Sequence, residues 1–168
     1  ASPLMGARLV AVVGLAALSL AGCSVKTFAV NKLGDTLSAP GPSVYTTDDD
    51  PELIKAALPF SLKTLQSLLQ ASPKHKGMLL TACSGFTSYA NAFVQLDAEA
   101  IESTNYEESE RLKGRARRLY LRGRDYCMRR AELRRPGLRE ALAKDPATAL
   151  GTTRFDVDEL YWLGASWG

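Results

Sequence analysis

Three cysteines and one histidine carry the most reactive side chains of this 168-residue sequence. His75 lies between two lysines just after Ser72-Pro73, which is typical of a solvent-exposed helix start. A single imidazole excludes a two-histidine metal site, and no Cys-x-x-Cys or His-Glu-x-x-His spacing is present. The acidic run Asp48-Asp49-Asp50 lacks the glycine and distal glutamate of a calcium loop and suits a helix N-terminus. The sequence therefore predicts no metal, no cofactor and no catalytic residue, and so a protein that is not an enzyme.

The first cysteine, Cys23, follows Leu20-Ala21-Gly22 at the end of an uncharged run that begins after Arg8. A basic residue, a short apolar segment and small residues before a cleavage point form a secretory signal, here too short to span a bilayer. Small residues ending in cysteine also form a lipobox, whose cysteine is acylated and anchors the mature chain. We predict a signal peptide over residues 1–22 and lipidation of Cys23. The alternative is an ordinary cleaved signal with an incidental cysteine.

These signals place the mature chain in the periplasm, tethered to a membrane. Ser24 follows the cysteine, where an aspartate would favour retention at the inner membrane, so the outer membrane is favoured. Residues 23–48 are rich in Gly, Pro, Ser and Thr and predict a flexible leash with one short helical turn at 28–33.

Residues 49–168 show helical periodicity throughout and no alternating strand pattern, which predicts an all-α domain. The first helix begins at Asp50-Pro51 and is kinked or briefly broken near Pro59, and the second runs from about His75 to Ile101. Turn signals and apolar spacing predict the remaining helices: a long third helix from the turn at 103–105 to Arg135-Pro136-Gly137, a short piece over Leu138–Ala143, and a last helix beginning at Asp156 with a capping box to Glu159.

The last predicted helix has no end signal, yet it carries both tryptophans of the chain. An apolar helix that has only begun would have nothing to pack against. We therefore expect the domain to be truncated at Gly168. Small residues on the third helix, at Gly114, Ala116, Gly123 and Ala131, predict close approach of a neighbouring helix.

With Cys23 acylated, Cys83 and Cys127 are the two remaining thiols of an exported chain, where disulfides form. They lie on the inward stripes of the second and third helices, at comparable distances from the turn near Thr104. In an antiparallel hairpin they would face each other, and a bridge would stabilise the fold by about 4 kcal/mol. Two buried free cysteines are the alternative, and the sequence leaves both open.

Arginines crowd the third helix, and several of them share one of its sides: Arg111, Arg115, Arg118, Arg122 and Arg129. Export argues against nucleic acid as their partner. A solvated face, a surface for anionic lipid or an acidic protein, and a site for carboxylate ligands remain open. Aromatic residues at this spacing usually belong to a core, but a ligand or partner groove would draw on Tyr89, Phe93, Arg122, Tyr126, Tyr161 and Trp162.

Four sequence blocks, in order along the chain, resemble one family. They are Cys23-Ser24-Val25-Lys26 with Asn31-Lys32-Leu33-Gly34-Asp35, then Cys83-Ser84-Gly85-Phe86-Thr87-Ser88-Tyr89-Ala90, then Leu119-Tyr120-Leu121-Arg122-Gly123-Arg124-Asp125-Tyr126-Cys127, and Leu160-Tyr161-Trp162-Leu163-Gly164-Ala165-Ser166-Trp167-Gly168. Together they are similar to the TatT family, the T-component lipoproteins associated with TRAP (tripartite ATP-independent periplasmic) transporters.

The resemblance implies helix hairpins like those of tetratricopeptide repeats, assembly into a homo-trimer with a central pore, and a DctP-type periplasmic solute-binding protein as partner. It implies no catalytic motif, and family members continue with further helices after the final Trp-Gly pair. We expect an accessory protein that docks the solute-binding protein and assists uptake of a small organic ligand, either a carboxylate or a hydrophobic molecule. The alternative is a helical envelope scaffold that holds other proteins without a link to transport.

Overall fold

The computed structural model describes residues 25–39, 41, 43–151 and 154–167. The predicted signal peptide, Cys23 and Gly168 lie outside the described residues. Helices make up most of the described chain and no strand occurs in it, which confirms the all-α prediction.

The helices follow one another with short connections, and α4 packs against both α3 and α6. Their bounds are α1 (residues 25–37), α2 (Val44–Thr47), α3 (Pro51–Ala71), α4 (Lys76–Ala90), α5 (Leu96–Ile101), α6 (Tyr106–Arg134), α7 (Leu138–Lys144), α8 (Pro146–Gly151) and α9 (Val157–Ala165), with a π-helical turn over Asn91–Gln95 between α4 and α5.

Side-chain caps fix where the long helices α3 and α6 begin. The Asp50 carboxylate accepts a hydrogen bond from the Leu53 amide at 3.0 Å, and Pro51 occupies the first turn of α3 as predicted. Asn105 caps α6 in the same way through the Glu108 amide at 3.2 Å. Pro59 lies inside α3, and the helix is assigned continuously across it, so it does not end there.

The segment predicted as a single second helix folds as α4, the π-helical turn and α5. A π turn inserts one residue into a helix and rotates the residues that come after it. Val94 in the π turn and Ala98 in α5 are both completely buried, and α5 packs against α6. The Ser109 hydroxyl of α6, itself buried, donates to the Ala98 carbonyl at 2.8 Å and fixes this contact.

The antiparallel pair of α4 and α6 forms the centre of the core. Cys83 and Cys127 are bridged in the structure, with their Cα atoms 5.3 Å apart. One turn away the helices also lie close together, because Gly123 has no side chain: a Cβ there would lie 3.0 Å from the Cys83 carbonyl and 2.6 Å from the Thr87 hydroxyl. Ala116 and Ala131 are buried on the same stripe, whereas Gly114 meets no neighbouring helix.

Residues 25–37 form a docked helix, so the prediction of a flexible leash with one helical turn is wrong over this range. Asn31 is the main contact: its side chain accepts from the Ser72 hydroxyl, and its carbonyl lies 3.2 Å from His75 Nε2. Gly34 is buried against Met78 and His75. The sequence predicted a loose segment because the residues that hold this helix, Ser72 and His75, are about 40 positions further along the chain.

Helix α9 is held to α6 by carboxylates and guanidinium groups. Glu159 is 1% exposed, and its two oxygens lie 3.4 Å from Arg130 Nε and 3.5 Å from Arg134 Nη2. Asp156 Oδ2 binds the same two arginines at 3.1 and 2.7 Å. The predicted capping box is therefore wrong, since Asp156 makes no side-chain cap and both acids turn to the arginines.

We predict that Gly123→Ala destabilises the protein by about 1 to 3 kcal/mol, because the added methyl group meets the Cys83 carbonyl, which is backbone and cannot move aside. The measurement is the free energy of unfolding in urea. Gly114→Ala is the matched control in the same helix: its Cβ would make only ordinary contact, so helix propensity should raise stability by up to about 1 kcal/mol. Equal effects of the two substitutions would contradict the close contact at Gly123.

We predict that Glu159→Gln lowers the free energy of unfolding by about 2 to 3 kcal/mol, because two arginines lose a buried counter-charge while Asp156 remains. Both tryptophans lie in or next to α9, so their emission should shift to longer wavelength as α9 loosens. Asp158→Asn, on an exposed neighbour with no ion pair in the described part of the chain, should change neither quantity. If Glu159→Gln changed neither the free energy of unfolding nor the tryptophan emission, these ion pairs would not be what holds α9.

Candidate functional site

A cavity of about 560 Å³ opens between α3 and α4, with α2 and α9 at its margins. None of the described side chains that line it carries a charge. Its walls are aliphatic, aromatic and hydroxyl-bearing: Leu37, Ser43, Tyr45, Thr46, Ile54, Leu58, Phe60, Ser61, Leu62, Thr64, Leu65, Thr81, Ser84, Gly85, Ser88, Ala92, Phe93 and Trp162.

Four of the wall hydroxyls are hydrogen-bonded within their own helices. Ser61 and Thr64 of α3 donate to carbonyls one turn earlier, at 3.3 and 3.0 Å. Thr81 and Ser84 of α4 do the same at 3.1 and 3.2 Å. These groups gain little from a polar ligand, so the cavity favours an uncharged, largely apolar molecule.

Helix α2 and a glycine shape the cavity. The Tyr45 hydroxyl of α2 is hydrogen-bonded to Ser61, which ties the short helix to the rim. Gly85 leaves room for Leu62, since a Cβ at this position would lie 2.7 Å from a Leu62 methyl carbon. The exposed ring of Phe60, at 78% of its full surface, lies at the outer edge and leaves apolar surface at the mouth.

A second feature is a stripe of four arginines on α6, which we call the arginine stripe: Arg115, Arg118, Arg122 and Arg129. Positions spaced by three, four and seven residues share one helix face. Within the described residues, none of the four has a carboxylate oxygen within the 4.0 Å limit of an ion pair. The other arginine predicted on this side, Arg111, is neutralised by Glu108, and this pairing lowers the pKa of the Glu108 carboxyl.

Aromatic rings hold three of these guanidinium groups. Arg115 lies 5.7 Å from the centroid of Tyr89, and Arg122 lies 5.4 Å from that of Phe86. Arg129 lies 5.1 Å from the ring centroid of Tyr126 and donates to the Pro73 carbonyl at 3.2 Å. Stacking on a ring leaves the N–H edges of a guanidinium available for carboxylates.

The six residues predicted to form one groove are distributed over different places. Phe93 and Trp162 line the uncharged cavity. Tyr89 is buried between Phe93 and Arg115, and Arg122 belongs to the arginine stripe. Tyr126 is buried, stacks on Phe86 and accepts from Gln66 at 2.9 Å, whereas Tyr161 is 63% exposed and touches Trp162 edge-on.

The hydroxyl-rich wall of the cavity was not predicted from the sequence. Thr81, Ser84, Ser88 and Ala92 recur at three- and four-residue steps beside the apolar stripe of α4. The regular recurrence of these small and polar residues could have predicted that a second face of α4 lines a cavity.

Among the described residues, no cluster of histidine, cysteine and carboxylate groups is suited to hold a metal ion. No helix of the described chain is long and apolar enough to cross a bilayer.

A model of the family described as "TRAP transporter T-component" matches residues 47–168, which include the cavity walls from α3 onward and the arginine stripe. The chain belongs to the TRAP transporter T-component family. This membership confirms the resemblance seen in the four sequence blocks. The T-component description denotes a part of a transport system.

A relative of this T-component chain is an uncharacterized protein of Treponema pallidum (strain Nichols). The two are 35% identical over an alignment of 169 positions, which covers 89% of this chain and 52% of the relative. The chain thus spans about half the length of that relative.

We predict that a neutral apolar fluorescent probe such as N-phenyl-1-naphthylamine binds the cavity, and that Ser88→Trp weakens its binding by about tenfold or more by filling the space. Asn91→Trp, exposed and one turn along but outside the cavity wall, should bind the probe normally. Fluorescence titration measures both. Tighter binding of a fatty carboxylate than of its neutral alcohol would contradict the assignment of ligand class.

Proposed function

We propose that the chain is a lipid-anchored periplasmic accessory component of a TRAP transporter, which docks a DctP-type solute-binding protein and assists uptake of a small hydrophobic ligand. The match to the T-component family over residues 47–168 is the observation that carries this proposal. The anchor is the acylated Cys23, with the outer membrane favoured. A homo-trimer remains a prediction from the resemblance.

The cavity supports one of the two ligand classes left open by the sequence. A carboxylate would need a cation or several free donors, and the described wall carries no charge while the hydroxyls of Ser61, Thr64, Thr81 and Ser84 already donate to backbone carbonyls. A hydrophobic molecule would gain from burial against Leu58, Phe93 and Trp162.

The arginine stripe supports a docking role. Its four guanidinium groups extend along α6 for about 21 Å, at 1.5 Å per residue. Arginines without a carboxylate partner in the described chain, three of them held in place by rings, attract and orient an acidic protein surface. We assign the stripe as the surface that meets the solute-binding protein.

The decisive experiment is affinity capture of the tagged full-length lipoprotein from cell envelopes, followed by mass spectrometry. We expect a DctP-type solute-binding protein in the eluate. A set of unrelated envelope proteins without any such protein would contradict the proposal and favour the scaffold.

We predict that Arg122→Glu weakens binding of the captured solute-binding protein by about tenfold or more and flattens its salt dependence, because one attraction becomes a repulsion. Isothermal titration at two salt concentrations measures this. Arg117→Glu is the control: it is exposed on α6, on a different side from the stripe, and makes no ion pair in the described chain. An equal loss in both variants would show a net-charge effect and not a docking surface.

A further inference from the structure

Helix α1 is attached to the domain along one face. Ser72 donates to the Asn31 side chain at 2.5 Å. His75 Nδ1 accepts from the Met78 amide at 3.2 Å, so the proton of the neutral ring is on Nε2, which donates to the Asn31 carbonyl at 3.2 Å. Asp35 Oδ1 also lies 3.2 Å from His75 Nε2. These contacts fix the orientation of α1 on the start of α4.

The outer face of α1, away from the buried Gly34, is apolar and uncovered. Val25, Phe28 and Leu33 are 66%, 63% and 48% exposed, and Ala29 between them is exposed as well. Steps of three and four residues link Val25 to Phe28 and Ala29, and Ala29 to Leu33, so this face runs along one side of the helix. Lys32 lies on the same side, with its ammonium group 5.9 Å from the Phe28 ring centroid. An exposed apolar stripe with a flexible cation beside it is the pattern of a helix that lies in a membrane interface.

The position of α1 in the chain identifies the membrane as the surface that covers it. The predicted lipid anchor, Cys23, is two residues before the first residue of α1, and two residues span at most about 7 Å. The backbone of the acylated residue is therefore within about 7 Å of the Val25 backbone. Because α1 is docked on α4, the domain cannot move away from the bilayer on a leash.

We propose that α1 lies in the lipid headgroup region with Val25, Phe28 and Leu33 towards the acyl chains, and that it holds the domain in one orientation against the membrane. This inference rests on the lipid anchor of the proposed function. It replaces a tethered, freely rotating domain with one whose cavity and arginine stripe point in fixed directions.

The test uses the full-length lipoprotein in vesicles of phosphatidylethanolamine and phosphatidylglycerol. A nitrobenzoxadiazole fluorophore is attached to a cysteine introduced by Ala29→Cys, on the exposed side of α1. The control label is at Tyr106→Cys, which is 65% exposed at the start of α6, away from the start of α4 where α1 docks. We expect a doxyl-labelled lipid to quench the label at position 29 strongly and the label at position 106 little.

Three results would overturn the inference. Equal quenching at both positions would mean that the domain has no preferred orientation. Absence of quenching at position 29 with emission typical of water would mean that α1 is away from the membrane. A blue-shifted label at position 29 that lipid does not quench would mean that protein, a second copy or a partner, covers α1.

A double variant, Val25→Asp with Phe28→Asp, adds a second measurement. It should abolish the quenching at position 29 while the acylated chain stays in the vesicle fraction, since the anchor is unchanged. Leu53→Asp, at an exposed apolar position of α3, should leave the quenching intact. Unchanged quenching in the double variant would contradict the role of the apolar face.

Mass spectrometry of the N-terminal peptide in the same preparation separates the two proposals. An acylated Cys23 without lipid contact at α1 would overturn this inference and leave the proposed function standing. A Cys23 without acyl chains would overturn the anchor itself.

Discussion

The close approach of α4 and α6 is the constraint on which the rest of the structure depends. Gly123 permits it, because any side chain there would meet the backbone carbonyl of Cys83. The bridge between Cys83 and Cys127 lies one turn away, at a Cα separation of 5.3 Å. A cross-link that closes a 44-residue separation stabilises a domain by about 4 kcal/mol in the chain-entropy model, which is substantial for one small core.

Both functional surfaces depend on this pair. One face of α4 packs on α6, so its other side, with Thr81, Ser84 and Ser88, is left to form a wall opposite α3. The rings of Phe86 and Tyr89, at the edge of the same interface, support the guanidinium groups of the arginine stripe. Helix α4 therefore belongs to both: it forms one wall of the cavity and supports the stripe through Phe86 and Tyr89, so an interaction at the stripe and a ligand in the cavity act on the same helix.

The helical class, the Asp50 cap and the close approach of α4 to α6 could be predicted from sequence, because Asp50-Pro51 and the small residues of α6 are local signals, whereas the capping box predicted at Asp156 does not form. The docked α1, the π-helical turn and the burial of Glu159 could not be predicted, because each depends on a partner distant in sequence. Asn31 needs Ser72 and His75, and Glu159 needs the arginines of α6. The aromatic residues were identified, but their separation into cavity wall, core and stripe is a property of packing.

In this account the protein carries an uncharged ligand in its helical domain and presents arginines to an acidic partner. The measurement that tests it most directly is native mass spectrometry of the lipoprotein eluted together with its solute-binding partner, with identification of the small molecule released. The account predicts a neutral, largely apolar compound whose retention depends on the open cavity. A charged carboxylate solute that the Ser88→Trp variant retains as well as the unaltered protein does would contradict it.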